Sequence, residues 1–341
     1  MSNKRIFELD YIRAISCLMV VLYHYTTRYN DLYGHKSDYV FNLSFGGWAV
    51  SVFFILSGFL SLYIPDNNKF LPYMKKRIVR LYPPYWAGLI FTTVVCLFLM
   101  PSLVVSAKDF VLNLTMFQEL FKADFVDGAH WTLLIELIFY VIMGLVFQFN
   151  KKEKLHIFLL IWIITLISTF LINLYIHNVL FSAFKILIIT GYGQFFISGI
   201  TIYYILNAKS KKDYLFNIGL FLLCCIYNYL VFSVWYTLFF VIAYLLVLAA
   251  VLNSKYNFWS LNDKAKGILK PLTVLSLISY PVYLVHQYFG YAMINLFESN
   301  GLTNEIFIII PICLSIFIGW LINKFVAMPS AKLYKQLQSK R

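Results

Sequence analysis

The sequence predicts an all-α integral membrane protein with about ten transmembrane helices, and three observations carry that prediction. Of its 341 residues 61% are hydrophobic, 19% are aromatic and only 13% are charged, with a mean hydropathy of +0.75. A soluble chain of this length is far less apolar, so lipid must be the principal solvent. The apolar residues also fall into runs of roughly 20, the length that crosses a bilayer core at about 1.5 Å per residue. Tyr and Trp recur near the ends of those runs, where an amphipathic ring suits the headgroup layer.

The runs lie near residues 9–28, 46–64, 83–101, 131–149, 155–175, 184–206, 214–233, 235–253, 272–296 and 305–327. Ten spans put both termini on one side of the membrane. Threaded from a cytoplasmic N-terminus, 22 of the 28 basic residues fall on the cytoplasmic side, while Arg28, Lys36, Lys108, Lys122 and Lys185 fall outside and Arg13 lies within the first span. That asymmetry predicts a multi-pass protein of the cell (cytoplasmic) membrane with both termini cytoplasmic. The opening Met1 to Arg5 imitates a signal peptide, but Asp10, Arg13 and His24 interrupt the run behind it and no small-x-small cleavage site follows. It reads as an uncleaved first span.

The longest external piece, about 102–130, carries Phe110, Val111, Leu114, Phe117, Leu120 and Phe121 at helical spacing, which suggests a helix lying in the interface. A plain amphipathic connector is the alternative. No tandem repeat, low-complexity tract or Gly/Ser linker divides the chain, so a single membrane domain over 1–341 is expected to hold all the chemistry.

Two functional classes are set aside on composition. The net charge of +13 arises from short Lys/Arg clusters between apolar runs, not from a basic stripe with interleaved aromatics, so nucleic acid is no expected partner. Cys17, Cys96, Cys224, Cys225 and Cys313 all sit in apolar stretches, with no CxxC and no His at ligand spacing; they read as small buried hydrophobes and no metal is expected.

Ionisable groups inside apolar runs are costly and usually face a cavity or a partner. The first span holds Asp10, Arg13 and His24; Glu136 lies near the start of the fourth and His286 in the middle or outer half of the ninth. Counting residues along the helices places His24, Glu136 and His286 at similar depth. A histidine beside a carboxylate in a water-poor site has the makings of a general base with an orienting partner, as hydroxyl acylation requires. A structural histidine satisfied by a neighbouring helix is the other reading. For His286 the preceding Tyr280-Pro281 favours that structural role, with the ring satisfying a carbonyl freed at a proline kink.

At the cytoplasmic start of the third span, Arg77 and Arg80 stand one helical turn apart, suited to sharing a phosphate-bearing ligand or to anchoring topology. Ser57 and Gly58 in the second span form a small pair that permits close helix approach.

Five ordered blocks then carry a resemblance. They are Leu9-Asp10-Tyr11-Ile12-Arg13 through His24; Phe53-Phe54-Ile55-Leu56-Ser57-Gly58-Phe59; Arg77-Ile78-Val79-Arg80 with Leu81-Tyr82-Pro83-Pro84-Tyr85-Trp86; Trp131-Thr132-Leu133-Leu134-Ile135-Glu136; and Ile278-Ser279-Tyr280-Pro281 through His286. Together they resemble the membrane acyltransferase 3 family, which includes bacterial O-acetyltransferases acting on cell-surface polysaccharides. The resemblance implies acyl-CoA, acetyl-CoA in the first instance, as a donor substrate bound from the cytoplasm rather than a resident cofactor. It implies His24 as catalytic base and Arg13, Arg77 and Arg80 as donor-site groups, and it draws Asp10, Ser57, Trp131 and His286 in as further candidates. Glu136 becomes the partner that orients His24. Where many members carry Gly, Asp and a second acid, this chain has Tyr11, Ser51 and Leu137, differences that bear on acceptor and acyl chain more than on reaction class.

The expected activity is transfer of a short acyl group to a hydroxyl of a surface glycan or lipid-linked saccharide, with membrane lipid as surroundings. A secondary transporter or lipid-linked-glycan flippase also needs buried charge, but predicts inverted halves with matching broken helices, and no such pairing is visible.

Overall fold

The computed structural model describes residues 5–36, 41–63, 69–149, 155–175, 184–260 and 262–339. It is 85% helical, and none of the described residues lies in a strand. The helices in order are α1 (Phe7–Tyr23), α2 (Tyr29–Tyr33), α3 (Val50–Tyr63), α4 (Phe70–Leu99), α5 (Ala107–Asn113), α6 (Trp131–Gln148), α7 (Leu155–Asn173), α8 (Gly193–Leu206), α9 (Lys211–Val231), α10 (Val234–Tyr256), α11 (Asp263–Ser299), α12 (Ile309–Ile322) and α13 (Met328–Ser339). Among the described residues eight helical stretches are long and apolar enough to cross a membrane, so the chain is an all-α, multi-pass membrane protein.

Element boundaries differ from those expected in several places; the third expected span, for one, begins at Phe70 and takes Pro83 and Pro84 into its interior. The segment expected to span 184–206 has its apolar helix at Gly193–Leu206, 14 residues and shorter than a full crossing. The ninth expected span begins earlier, because α11 runs 37 residues and takes Pro271 and Pro281 into its interior. Residue 64 of the second expected span, and Lys4, Lys151, Lys152, Lys154, Lys340 and Arg341, lie outside the described residues.

The chain divides into two compact units. The first comprises Met1–Arg13, Val50–Met74 and Ile135–Lys270, and the second Ala14–Ala49, Lys75–Leu134 and Pro271–Arg341. In the first, α3 and α8 cross in close contact at two glycines. A Cβ added to Gly58 would meet the Phe196 carbonyl oxygen at 2.2 Å, and one added to Gly199 would meet that of Ile55 at 2.0 Å. With no hydrophobic drive between helices in lipid, such backbone approach is what gives packing its energy. Phe139 of α6 stacks on Phe196 at 4.1 Å between ring centroids, so α3, α6 and α8 share one buried contact.

In the second unit the stretch after α4 departs from the expected interfacial helix. Only Ala107–Asn113 is α-helical, started by Ser106, whose hydroxyl accepts from Asp109 N–H at 3.1 Å. Met116 and Lys122 then take left-handed backbone angles, φ 64° and 55°, which a continuous helix forbids. Instead the stretch folds back along α4. Tyr85 Oη–H donates to the Asn113 carbonyl at 2.6 Å, Trp86 Nε1–H to Leu114 at 2.9 Å and Tyr82 Oη–H to Thr115 at 2.8 Å. Tyr85 stands roughly 20 Å back from the end of α4 at 1.5 Å per residue.

Irregular backbone at that depth is tolerated only where protein surrounds it. Asn113, Met116, Gln118, Asp127 and His130 are correspondingly buried. Asn113 knits the fold-back together: its Nδ2 donates to the carbonyls of Asp109 and Asp124, and its Oδ1 accepts from Val126 N–H.

Candidate active site

The candidate chemistry of the second unit begins where α1 ends. Residues His24–Arg28 form a single wide π turn before α2, which offsets the backbone ladder and leaves carbonyls in need of other donors. His35 supplies one: its Nε2 lies 3.0 Å from the Tyr25 carbonyl and 3.2 Å from that of Thr26. Its Nδ1 pairs with Glu298 Oε1 at 2.8 Å, and Tyr29 Oη–H donates to Glu298 Oε2 at 3.3 Å. The buried contact between His35 and Glu298 of α11 thus sits against the turn that carries His24.

His24 and His286 meet at this turn. His24 Nδ1 lies 2.9 Å from the Val20 carbonyl and 3.1 Å from His286 Nε2, while His286 Nδ1 lies 2.8 Å from the Tyr283 carbonyl. Carbonyl oxygens only accept, so each Nδ1 carries its proton. His286 Nε2 then accepts from His24 Nδ1–H, and His24 Nε2 is left as a lone pair with no partner among the described residues. The rings meet edge to face, 4.8 Å between centroids and 73° apart, and Tyr291 lies 6.5 Å from the His24 ring.

Tyr25 braces the same region. Its hydroxyl donates to the His286 carbonyl at 2.7 Å and meets Ser315 Oγ of α12 at 2.7 Å. Room for the ring comes from Gly290, where an added Cβ would lie 1.9 Å from it.

Two polar residues from the fold-back complete the layer. Asp127, fully buried, accepts from Ala129 N–H at 2.9 Å and from Tyr288 N–H of α11 at 3.2 Å. Burial pushes its carboxyl up to about 7, against those two hydrogen bonds, which favour the charged form. His130, also fully buried, donates through Nε2 to the Leu284 carbonyl at 3.0 Å.

The expected site residues are distributed as follows. His24 and His286 come together, and Arg77 and Arg80 lie one turn apart on α4 with Arg80 exposed. Glu136 belongs to the first unit, where Ser57 Oγ–H donates to its Oε1 at 3.1 Å and the Tyr140 hydroxyl donates to the same oxygen. Asp10 is buried and paired with Arg5 at 2.7 Å; Arg13 is partly exposed on α1. Trp131 opens α6 directly after His130. His286 does not cap the carbonyl freed by Pro281, as a proline kink suggested, since its Nδ1 takes Tyr283 three residues back. Cys17, Cys96 and Cys224 are buried as expected and Cys313 is exposed, and no cluster able to hold a metal occurs among the described residues.

Sequence reasoning passed over Asp127, His130, His35 and Glu298. The first two lie just before the Trp131 block, and a histidine adjoining that block was the available signal.

Compared with protein-family models, residues 6–324 match the acyltransferase domain Acyl_transf_3. The chain belongs to the acyltransferase 3 family. The match runs from the start of α1 into the last long helical stretch, so it takes in most of both compact units of this acyltransferase. Comparison with curated proteins and with solved structures gave no match. The reaction class of this membrane acyltransferase is therefore acyl transfer, and the histidine pair is its candidate acid–base centre.

Proposed function

We propose that this acyltransferase moves a short acyl group, acetyl in the first instance, from cytoplasmic acyl-CoA to a hydroxyl of a cell-surface or lipid-linked saccharide. The observation that carries the reading is the fixed tautomer of His24. With Nδ1–H engaged by Val20 and His286, Nε2 is the basic nitrogen.

In the proposed step His24 Nε2 takes the proton of the acceptor hydroxyl as its oxygen attacks the thioester carbonyl. The carbon–sulfur bond breaks, and the CoA thiolate leaves with the proton that His24 returns. The imidazolium between these events is stabilised by the Val20 carbonyl and by neutral His286, both on its Nδ1–H. Arg77 and Arg80 are suited to the CoA phosphates, since a guanidinium forks onto phosphate oxygens. Glu136, held by Ser57 and Tyr140, is a second anionic candidate. The cytoplasmic placement of both termini follows from the basic-residue asymmetry.

The test is mass spectrometry of surface glycans from cells with and without the gene. Loss of O-acyl groups, restored by the wild-type gene and not by His24→Ala, is expected; an unchanged glycan profile overturns the acceptor assignment.

A further inference from the structure

Across one turn of α11 the Leu284 carbonyl and the Tyr288 N–H are natural partners, and each receives a side chain from outside the helix. His130 Nε2–H reaches the carbonyl at 3.0 Å and Asp127 Oδ2 accepts from the N–H at 3.2 Å. Tyr283 Oη–H donates to the Ala129 carbonyl at 2.9 Å, with the Thr132 hydroxyl donating to Tyr283 Oη at 2.9 Å. Asp127 Oδ1 also holds Ala129 N–H, so the short 127–130 stretch is braced against itself as well as against α11.

A long helix needs no such help with its own hydrogen bonds. Burying an imidazole and a carboxyl completely is costly, so their use here points to something other than helix stability. His286 stands in the middle of the gripped turn, and Tyr25 holds its carbonyl from the other side.

We propose that Asp127 and His130 are positioning residues for the acyl-transfer centre. By gripping Leu284 and Tyr288 they fix the rotation of α11 that sets His286 Nε2 against His24 Nδ1–H. That contact in turn keeps the lone pair of His24 on Nε2. The inference rests on His24 being the base of the proposed reaction. Neither positioning residue touches the acyl group, and their effect reaches the reaction through His286. Asn113, fastened to Tyr85 and Val126, carries the support back to α4.

The experiment uses the full-length protein in its membranes, with release of the CoA thiol from acetyl-CoA as the activity readout. Hydrogen exchange of the peptide covering residues 284–290 is read in parallel. His130→Leu and Asp127→Asn should each speed exchange of that peptide about tenfold, the loss of one buried hydrogen bond. They should lower kcat by roughly 10- to 100-fold while leaving KM for acetyl-CoA unchanged. His130→Gln, whose amide N–H can still meet the Leu284 carbonyl, should return kcat to within about threefold.

Unchanged exchange in both variants overturns the grip. Native exchange with His130→Gln as slow as His130→Leu overturns the positioning role, because the ring itself would then be reacting. Should His130→Leu fail to accumulate, Asp127→Asn decides by the same two measures. Absence of thiol release by wild-type membranes would count against acyl transfer itself, while exchange still judges the grip.

Discussion

His286 Nε2 lies 3.1 Å from His24 Nδ1, although 262 residues separate them in the chain. Each ring also spends its Nδ1 on a carbonyl of its own helix, so the pair has one arrangement of protons and one outward lone pair. Replacing either ring therefore has separable effects on chemistry and on folding.

His24→Ala should abolish acyl transfer, with a loss of about 10²- to 10⁴-fold, while the protein still accumulates near its normal amount. A sugar hydroxyl is almost fully protonated at neutral pH, whereas removing a polar ring from an apolar helix buries nothing new. His286→Ala should be milder, roughly tenfold, because Val20 still holds His24 Nδ1–H. Glu136→Gln should also be intermediate if its charge serves the transition state. Glycan O-acyl content beside membrane protein level checks all three, and near-normal acylation by His24→Ala would refute the mechanism.

Arg77→Ala combined with Arg80→Ala should raise KM for acyl-CoA about tenfold or more with little change in protein amount. Arg80 is exposed and contributes little to stability, Arg77 is half-buried, and contacts to phosphate are charge-assisted. Arg77→Lys should rescue only in part, for want of the bidentate fork. Titration of acyl-CoA binding is the measurement, and normal binding by the double variant would leave these residues as topology anchors.

Asp127 gives the fold a pH dependence of known sign. Burial pushes its folded carboxyl up from the ordinary carboxylate range to about 7, because a buried site favours the neutral form. The stability it contributes is full below about pH 4, declines as pH rises and is lost above about 7. Asp127→Asn cannot ionise, so the wild type should lose its advantage over the variant as pH goes from 5 to 8. Thermal unfolding in detergent at several pH values checks this; a gap that widens with pH would contradict it.

Gly290→Ala should destabilise the protein by about 1–3 kcal/mol. The added methyl would press on the Tyr25 ring, and that ring cannot move without giving up the His286 carbonyl and Ser315. Tyr25→Phe tests the same brace without crowding and should slow transfer more than it lowers Tm.

In a cysteine-free background, Lys36→Cys should react with an impermeant thiol reagent added to intact cells and Ser210→Cys should not. Both positions are exposed, so access differs only by side of the membrane. Labelling at 210 from outside would reverse the orientation and with it the direction of transfer.

The apolar runs were legible because a spanning helix must be long, apolar and self-satisfied in hydrogen bonds. Gly58 was legible as a packing point for the same reason, and it meets Phe196. Counting depth along helices places His24, Glu136 and His286 in one layer, but a count along one axis says nothing of which helix a side chain faces. Glu136, expected to orient His24, belongs to the first unit, where its hydrogen bonds go to Ser57 and Tyr140, the latter one turn away on its own helix. The fold-back was illegible because its order comes from side chains on α4 and α11, not from any period of its own. Phe110, Val111 and Leu114 mimic a helical stripe, and the left-handed backbone at Met116 and Lys122 marks the break.

The fold-back has a further consequence for how the protein is made. Its grips on α11 join residues 154 and 161 positions apart in the chain. At a synthesis rate of about 5–20 residues per second, the ribosome needs roughly 8–32 s after His130 to deliver Leu284 and Tyr288. Throughout that interval Asp127 and His130 must wait, hydrated or shielded by other factors, before α11 arrives. The candidate site is thus among the last parts of the nascent chain to assemble, and a ribosome stalled before residue 284 leaves helices in the bilayer but no histidine pair.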